Sequence, residues 1–146
     1  MADSIQQAKI DSTPSQKVKA NELAGRVRVA FAEYEPSAEQ STIHMFSLPN
    51  GARIRGGRLA HDALGSSTTL SVGHNAYIDS SGSTVALDVD EFKAAASSAS
   101  ASSAAIATTI ALGENSVVNA NKDGIPVSVT LAGANGTGTI QLHMTY

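Results

Sequence analysis

The chain has 146 residues, 42% apolar and 4% aromatic, with no tryptophan and a formal net charge of −3. That length fits one domain around one aliphatic core, and the slight acidity carries no global basic signature for nucleic acid. There is no cysteine, which excludes a disulfide scaffold, a thiolate metal site and a cysteine nucleophile.

The opening "MADSIQQAKIDSTPSQKVKA" has no apolar h-region, so it does not read as a signal peptide. No run approaches the roughly 20 apolar residues of a membrane helix. Residues 1–24 are polar, with Pro14 in the middle and little periodicity, and read as an extended arm ahead of a domain over 25–146. Its apolar members are Ile5, Ile10, Val18 and Leu23.

From Gly25 the period becomes two. "RVRVAFAEY" separates Val27, Val29 and Phe31 from Arg26, Arg28 and Ala30, a half-buried strand with the larger apolar set inward. "STIHMFSL" has apolar residues on both faces, Ile43 with Met45 and His44 with Phe46. Pro49-Asn50-Gly51 then marks a tight turn. Arg53 and Arg55 share one side of the next segment, and Gly56-Gly57 predicts a bend where the chain crosses an edge or changes sheets.

"RLAHDAL", "SSTTLSVG" and "TVALDVDEF" continue the alternation, with Leu70 and Val72 inward and Val85, Leu87 and Val89 on one side. The Ala/Ser-rich run 91–105 reads as a short helix or a loop. "IATTIALG" and "NSVVN" read as two short strands. "IPVSVTLAG" places Ile125, Val127, Val129 and Leu131 on one face, and "TGTIQLHMTY" does the same with Ile140, Leu142 and Met144. A Gly/Asn loop between these two predicts a hairpin. Eight or nine short strands with at most one short helix predict an all-β fold, a jelly-roll-like antiparallel β-sandwich.

No chemistry-bearing constellation emerges. His44, His61, His74 and His143 lie on different segments with no His-x-His pair, so no metal is expected. Asp88, Asp90 and Glu91 lack the spacing of a calcium loop and read as a solvated face. No serine sits in Gly-x-Ser-x-Gly, and no glycine run has phosphate-loop spacing. Neither a catalytic residue nor a cofactor is expected. The paired arginines, Arg26 with Arg28 and Arg53 with Arg55, carry two readings. One is docking onto an acidic surface; the other is a solubilising face that blunts an edge strand.

The stretch "LPNGARIRGGRLAHDALGSSTTLSVG", Leu48 to Gly73, together with the closing "GTGTIQLHMTY", resembles a family of small proteins of tailed bacteriophages. That family pairs an LP-x-GA turn and strand with LG-x-x-T-T-L-x-hydrophobic-G. The resemblance covers residues 27–146 and implies a jelly-roll cement or decoration protein of the virion. Such a protein binds the outside of the capsid, often as a dimer or trimer, and staples major capsid protein subunits. It implies no nucleic acid or membrane partner and no enzyme activity. On this reading Arg26, Arg28, Arg53 and Arg55 meet the capsid, and Ile5, Ile10, Val18 and Leu23 anchor the arm on ordering. The Ala/Ser run departs from the pattern. A rival is another virion part, such as a head-fibre base, neck or tail protein. A carbohydrate-binding module is disfavoured by the shortage of aromatic platforms.

Overall fold

A computed structural model describes residues 26–146. The extended arm expected over 1–24, with Ile5, Ile10, Val18 and Leu23, lies outside the described residues.

Among the described residues ten strands follow one another: β1 (Val29–Tyr34), β2 (Ser37–Leu48), β3 (Gly56–His61), β4 (Thr69–His74), β5 (Tyr77–Ile78), β6 (Thr84–Val85), β7 (Asp88–Ser97), β8 (Ser102–Ile106), β9 (Ile125–Thr137) and β10 (Ile140–Thr145). Two four-stranded sheets form, in the orders β1-β10-β3-β8 and β2-β9-β4-β7, with β5 and β6 as a small ribbon. All the pairings are antiparallel. The chain changes sheet between β1 and β2, β2 and β3, and β3 and β4, and again from β7 through β10. That is jelly-roll topology, so the all-β sandwich expected from the alternation is the fold.

The core lies between the sheets. Leu59, Ile140, Leu142 and Met144 of the first sheet meet Leu70, Val72, Val127, Val129 and Leu131 of the second, all buried. Their spacing of two is what the pleat requires. Each such side chain contributes about 1.5–3 kcal/mol by leaving water.

Strand β2 explains its own double-faced sequence. Ile43 opposes Val129 and Phe46 opposes Val127, with a register shift between His44 and Phe46. A bulge at Met45 reverses the parity, so Ile43, Phe46 and Leu48 all face the core. Gly57 marks a close approach, since a Cβ there would lie 2.3 Å from the His143 carbonyl oxygen.

Five expectations need correction. Val27, Val29 and Phe31 do not point inward; they are 71%, 61% and 60% exposed. Ala30 and Ala32 oppose Met144 and Leu142, which are buried, and directly opposed residues share a face. The core therefore takes the small-residue face of β1.

The run 91–105 is neither helix nor loop but much of β7 and β8. Both are edge strands, paired on one side only. Their Ala and Ser side chains face water for the most part, so no large apolar residue is needed. Ser98, at the crossing between them, is buried, and its hydroxyl donates to Thr68 Oγ1 at 2.9 Å.

Strand "TVALDVDEF" is interrupted. β6 ends at Val85, β7 begins at Asp88, and Leu87 between them is exposed.

"IATTIALG" and "NSVVN" are not strands. Ala107 has a φ of 49°, Ile110–Leu112 form one 3-10 turn capped by Thr109, and only Val117 makes an isolated bridge, to Arg53.

β9 and β10 form no hairpin. β9 lies between β2 and β4, and β10 between β1 and β3. The reversal at Gly138, with a φ of 129°, carries the chain to the other sheet. There Thr139 and Asp62 hold each other: the Asp62 amide donates to the Thr139 carbonyl, and the Thr139 amide to Asp62 Oδ2, both at 3.0 Å.

Candidate partner-binding surface

The end of the first sheet gathers the arginines that the sequence singles out. β10 runs out between β1 and β3. The Arg28 amide donates to the Tyr146 carbonyl at 2.7 Å, and the Tyr146 amide returns a bond to Arg28 at 2.9 Å. On the other flank the Arg55 amide donates to the Thr145 carbonyl at 2.8 Å. Arg28 and Arg55 thus sit on either side of Thr145-Tyr146, and both are exposed. Arg26 lies two residues beyond Arg28 and is exposed as well.

Arg53 and Arg55 are also tied to a loop. Ala52 and Ile54 pair with Ser116 and Val118: the Ile54 amide donates to Ser116 at 2.9 Å, and the Val118 amide to Ala52 at 2.8 Å. The Arg53 guanidinium donates to the Asn115 carbonyl at 2.8 Å, and that of Arg55 to Asn115 Oδ1 at 2.6 Å. Asn115 has a left-handed φ of 63°, which Asn tolerates better than most residues. The two cations therefore clamp the loop 107–124 against the sheet end. Arg58, which also belongs to the basic cluster, donates through Nε to Ser103 Oγ on the outer face. The structure brings Arg28 and Arg55 together around Tyr146 and gives Arg53 a half-buried place behind them.

Two features escaped the sequence. One is the exposed row of Val27, just ahead of β1, with Val29 and Phe31 on the outer face of β1. The other is a cavity of about 160 Å³ beneath the clamped loop, lined by Ile54, His74, Tyr77, Glu91, Phe92 and Asn119 among others. His74 is buried there, its Nδ1 lies 3.0 Å from the Asn75 carbonyl, and its ring stands edge-on to Tyr77 at 5.2 Å. A carbonyl can only accept, so Nδ1 carries the proton and the ring is oriented. Burial raises the Tyr77 phenol pKa above its ordinary value, and the carboxylates of Asp79 and Glu91 add to this. The cavity walls combine the Tyr77 phenol, the His74 imidazole and Asn119 with apolar surface from Ile54 and Phe92 and the Glu91 carboxylate. Among the described residues no three His, Asp or Glu side chains converge as a metal site, and no helix is long and apolar enough to cross a membrane.

No family model matches the sequence, and no curated protein sequence matches it. Solved structures match the fold, among them chains of two phage capsids. A chain of the cyanophage Pam1 capsid asymmetric unit aligns with a TM-score of 0.61 at 20% identity, covering 93% of this chain and 95% of that one. A chain of the capsid of Ralstonia phage GP4 aligns with a TM-score of 0.61 at 19% identity, covering 90% of each. The fold and surface define a small jelly-roll domain, shared nearly end to end with chains of two phage capsids. Its sheet end is basic and its first strand is apolar on the outside.

Proposed function

We propose that this protein is a phage head cement or decoration protein, one that binds the outer surface of the capsid and staples major capsid protein subunits. The observation that carries the reading is the two-way coverage of the fold match. The aligned Pam1 chain is nearly the same length as this one and belongs to a capsid assembly. A compact jelly roll of this size suits an accessory subunit. It supplies a rigid body whose loops and sheet ends can bridge neighbouring subunits, and it needs no catalytic group to do so.

The basic sheet end is the surface assigned to the capsid. Arg28 and Arg55 flank Tyr146, and Arg26 extends the same edge. Guanidinium groups bind carboxylates in bidentate fashion, which suits an acidic partner face. Arg53 contributes by fixing the loop beside them. The segment 1–24 is assigned to a second contact, through Ile5, Ile10, Val18 and Leu23. The protein acts as a homo-oligomer on the virion surface, made in the host cytoplasm, with no enzyme activity.

The test uses heads lacking this subunit, incubated with the purified chain and analysed for bound copies per major capsid protein. A fixed saturating ratio supports cementing. Saturation at a handful of copies per particle assigns the protein to the neck, a fibre base or the tail. Arg26→Glu with Arg28→Glu should lower occupancy at moderate salt while leaving the melting curve unchanged. Unchanged occupancy removes the arginines from the interface.

A further inference from the structure

The open side of β1 is built as a strand-pairing edge. Arg28 exchanges both backbone bonds with Tyr146, so the amide and carbonyl of Arg28 point toward β10. Strand alternation turns Ala30 and Ala32 the same way and leaves the amides and carbonyls of Val29, Phe31 and Glu33 directed at the open side. Among the described residues nothing pairs there, and β1 ends its sheet.

The four sheet edges differ in how they are guarded. β2 shows three register shifts against β9, and β7 shows two against β4. Such irregularities twist an edge and discourage pairing. β8 is regular but offers only Ser and Ala beside its buried Ile106. β1 matches β10 over six consecutive pairs without a shift and exposes Val29 and Phe31 on its outer face. A regular edge that exposes large apolar side chains and carries neither lysine nor proline is what native proteins otherwise avoid.

The strand is also complementary to itself. Exposed Arg26 and Arg28 lead into it, and exposed Glu33 and Glu35 close it. An antiparallel copy runs the basic start of one strand alongside the acidic end of the other, the arginines on the Ala30 face and the carboxylates on the Val29 face, and sets the exposed Val29 and Phe31 of each copy against the same row of the other. We infer that β1 pairs with β1 of a second copy of this chain across a two-fold axis, joining two four-stranded sheets into one of eight. The axis stands perpendicular to the sheet, so outward residues oppose outward residues.

The register follows from the side chains. With Ala30 opposite Ala30 of the second copy, each Val29 opposes a Phe31, an aromatic with β-branched pairing that stabilises sheets. In this register the acid–apolar mismatch lies at the strand end, Glu33 opposite Val27; sliding by two residues one way moves Glu33 over Val29, into the middle of the apolar row. Sliding the other way carries Glu33 past Arg26 and off the described strand. The inference concerns the free protein and stands whether or not the chain binds a head.

The chain has no cysteine, so single-cysteine variants read the register directly. Ala30→Cys places two thiols at a non-hydrogen-bonded pair, where Cα atoms stand about 4.5 Å apart, inside the range of roughly 4.4–6.8 Å that a disulfide spans. Mild oxidation should yield a covalent dimer with Ala30→Cys and none with Ala105→Cys on β8. Sedimentation of the full chain over a concentration series should show a monomer–dimer equilibrium. Phe31→Lys should raise its dissociation constant at least ~10-fold, with the thermal melt of the dilute protein unchanged. A monomer at every concentration overturns the inference. So does a trimer, or cross-linking at Ala105→Cys but not at Ala30→Cys. Head binding plays no part in these readouts, so their failure is separate from any failure of the capsid reading.

Discussion

Arg55 and Asn115 lie 60 positions apart and are joined by a hydrogen bond of 2.6 Å from guanidinium to side-chain carbonyl. Arg53 holds the backbone carbonyl of the same asparagine. The loop 107–124 is therefore fastened by side chains at Asn115, beside its backbone pairing through Ser116 and Val118, and Asn115 sits in the left-handed region. Asn115→Ala removes the Arg55 bond and places a Cβ-bearing residue of poorer tolerance at that φ. It should cost about 1–2 kcal/mol in urea unfolding. Asn115→Gly loses the bond but relaxes the backbone, and should cost clearly less. Equal losses would show that the left-handed conformation contributes nothing.

The parity of β1 is tested by a pair of truncations. Leu142→Ala opens a cavity in the fully buried core and should cost about 2–5 kcal/mol. Phe31→Ala, on a side chain 60% exposed, should stay within about 0.5 kcal/mol in dilute protein. A large loss at Phe31 would put that side chain in the core after all.

Two glycines separate crowding from conformation. A Cβ on Gly73 would lie 2.1 Å from the Asp88 carbonyl oxygen, a backbone atom that β7 cannot withdraw without breaking its ladder. Gly73→Ala should cost upwards of about 3 kcal/mol or abolish folding. Gly82 has a φ of +90° and open space around it. Gly82→Ala meets only the left-handed penalty, about 1–2 kcal/mol. Chemical denaturation of the two variants gives the comparison.

The β5–β6 turn carries a pH signature. Asp79 Oδ1 accepts from the Ser81 hydroxyl at 2.7 Å and from the Ser83 and Ser81 amides at 2.8 Å each. The Ser81 hydroxyl first, then the Ser83 amide, hold the carboxyl below its ordinary value of 3.8. A depressed folded pKa means that the charged form stabilises the turn. That contribution is complete above the ordinary value and disappears as pH falls through the lower folded one. Exchange protection of the Ser83 amide should fade over that acidic window, and Asp79→Asn should flatten the dependence. Protection that persists unchanged through the window would break the link.

Legibility in the sequence tracked the asymmetry between faces. β4, β9 and β10 carry large aliphatics on alternate positions with smaller or polar residues between, so one register dominates. β1 offers Val29, Phe31 and Glu33 on one face, led in by Val27, and Ala30, Ala32 and Tyr34 on the other, so both faces carry apolar residues. The choice was made by Leu142 and Met144, more than a hundred residues away. The Gly/Asn stretch 134–136 reads as the turn, yet β9 runs on through it to Thr137; the chain reverses at Gly138, and composition does not say that the next strand joins the other sheet. The Ala/Ser run was opaque because an edge strand is held by backbone bonds, which composition does not encode. The arginine cluster was visible as a cluster; its shared ligand Asn115, in a loop without periodicity, was not. The apolar row on β1 stayed hidden because a residue's hydrophobicity does not say that it is left outside.

The marriage of β1 to β10, with Val29 against Thr145, also sets a timetable for the nascent chain. β1, the earliest of the described strands, must wait for β10, the latest of them, before its ladder can close. Sandwiches ruled by such distant pairings fold on the order of milliseconds to seconds. During translation β1 is an unclaimed strand with both sides open. Its vulnerable interval is therefore biosynthesis, and yield should respond to growth temperature and chaperone supply more steeply than the finished domain's stability would foretell.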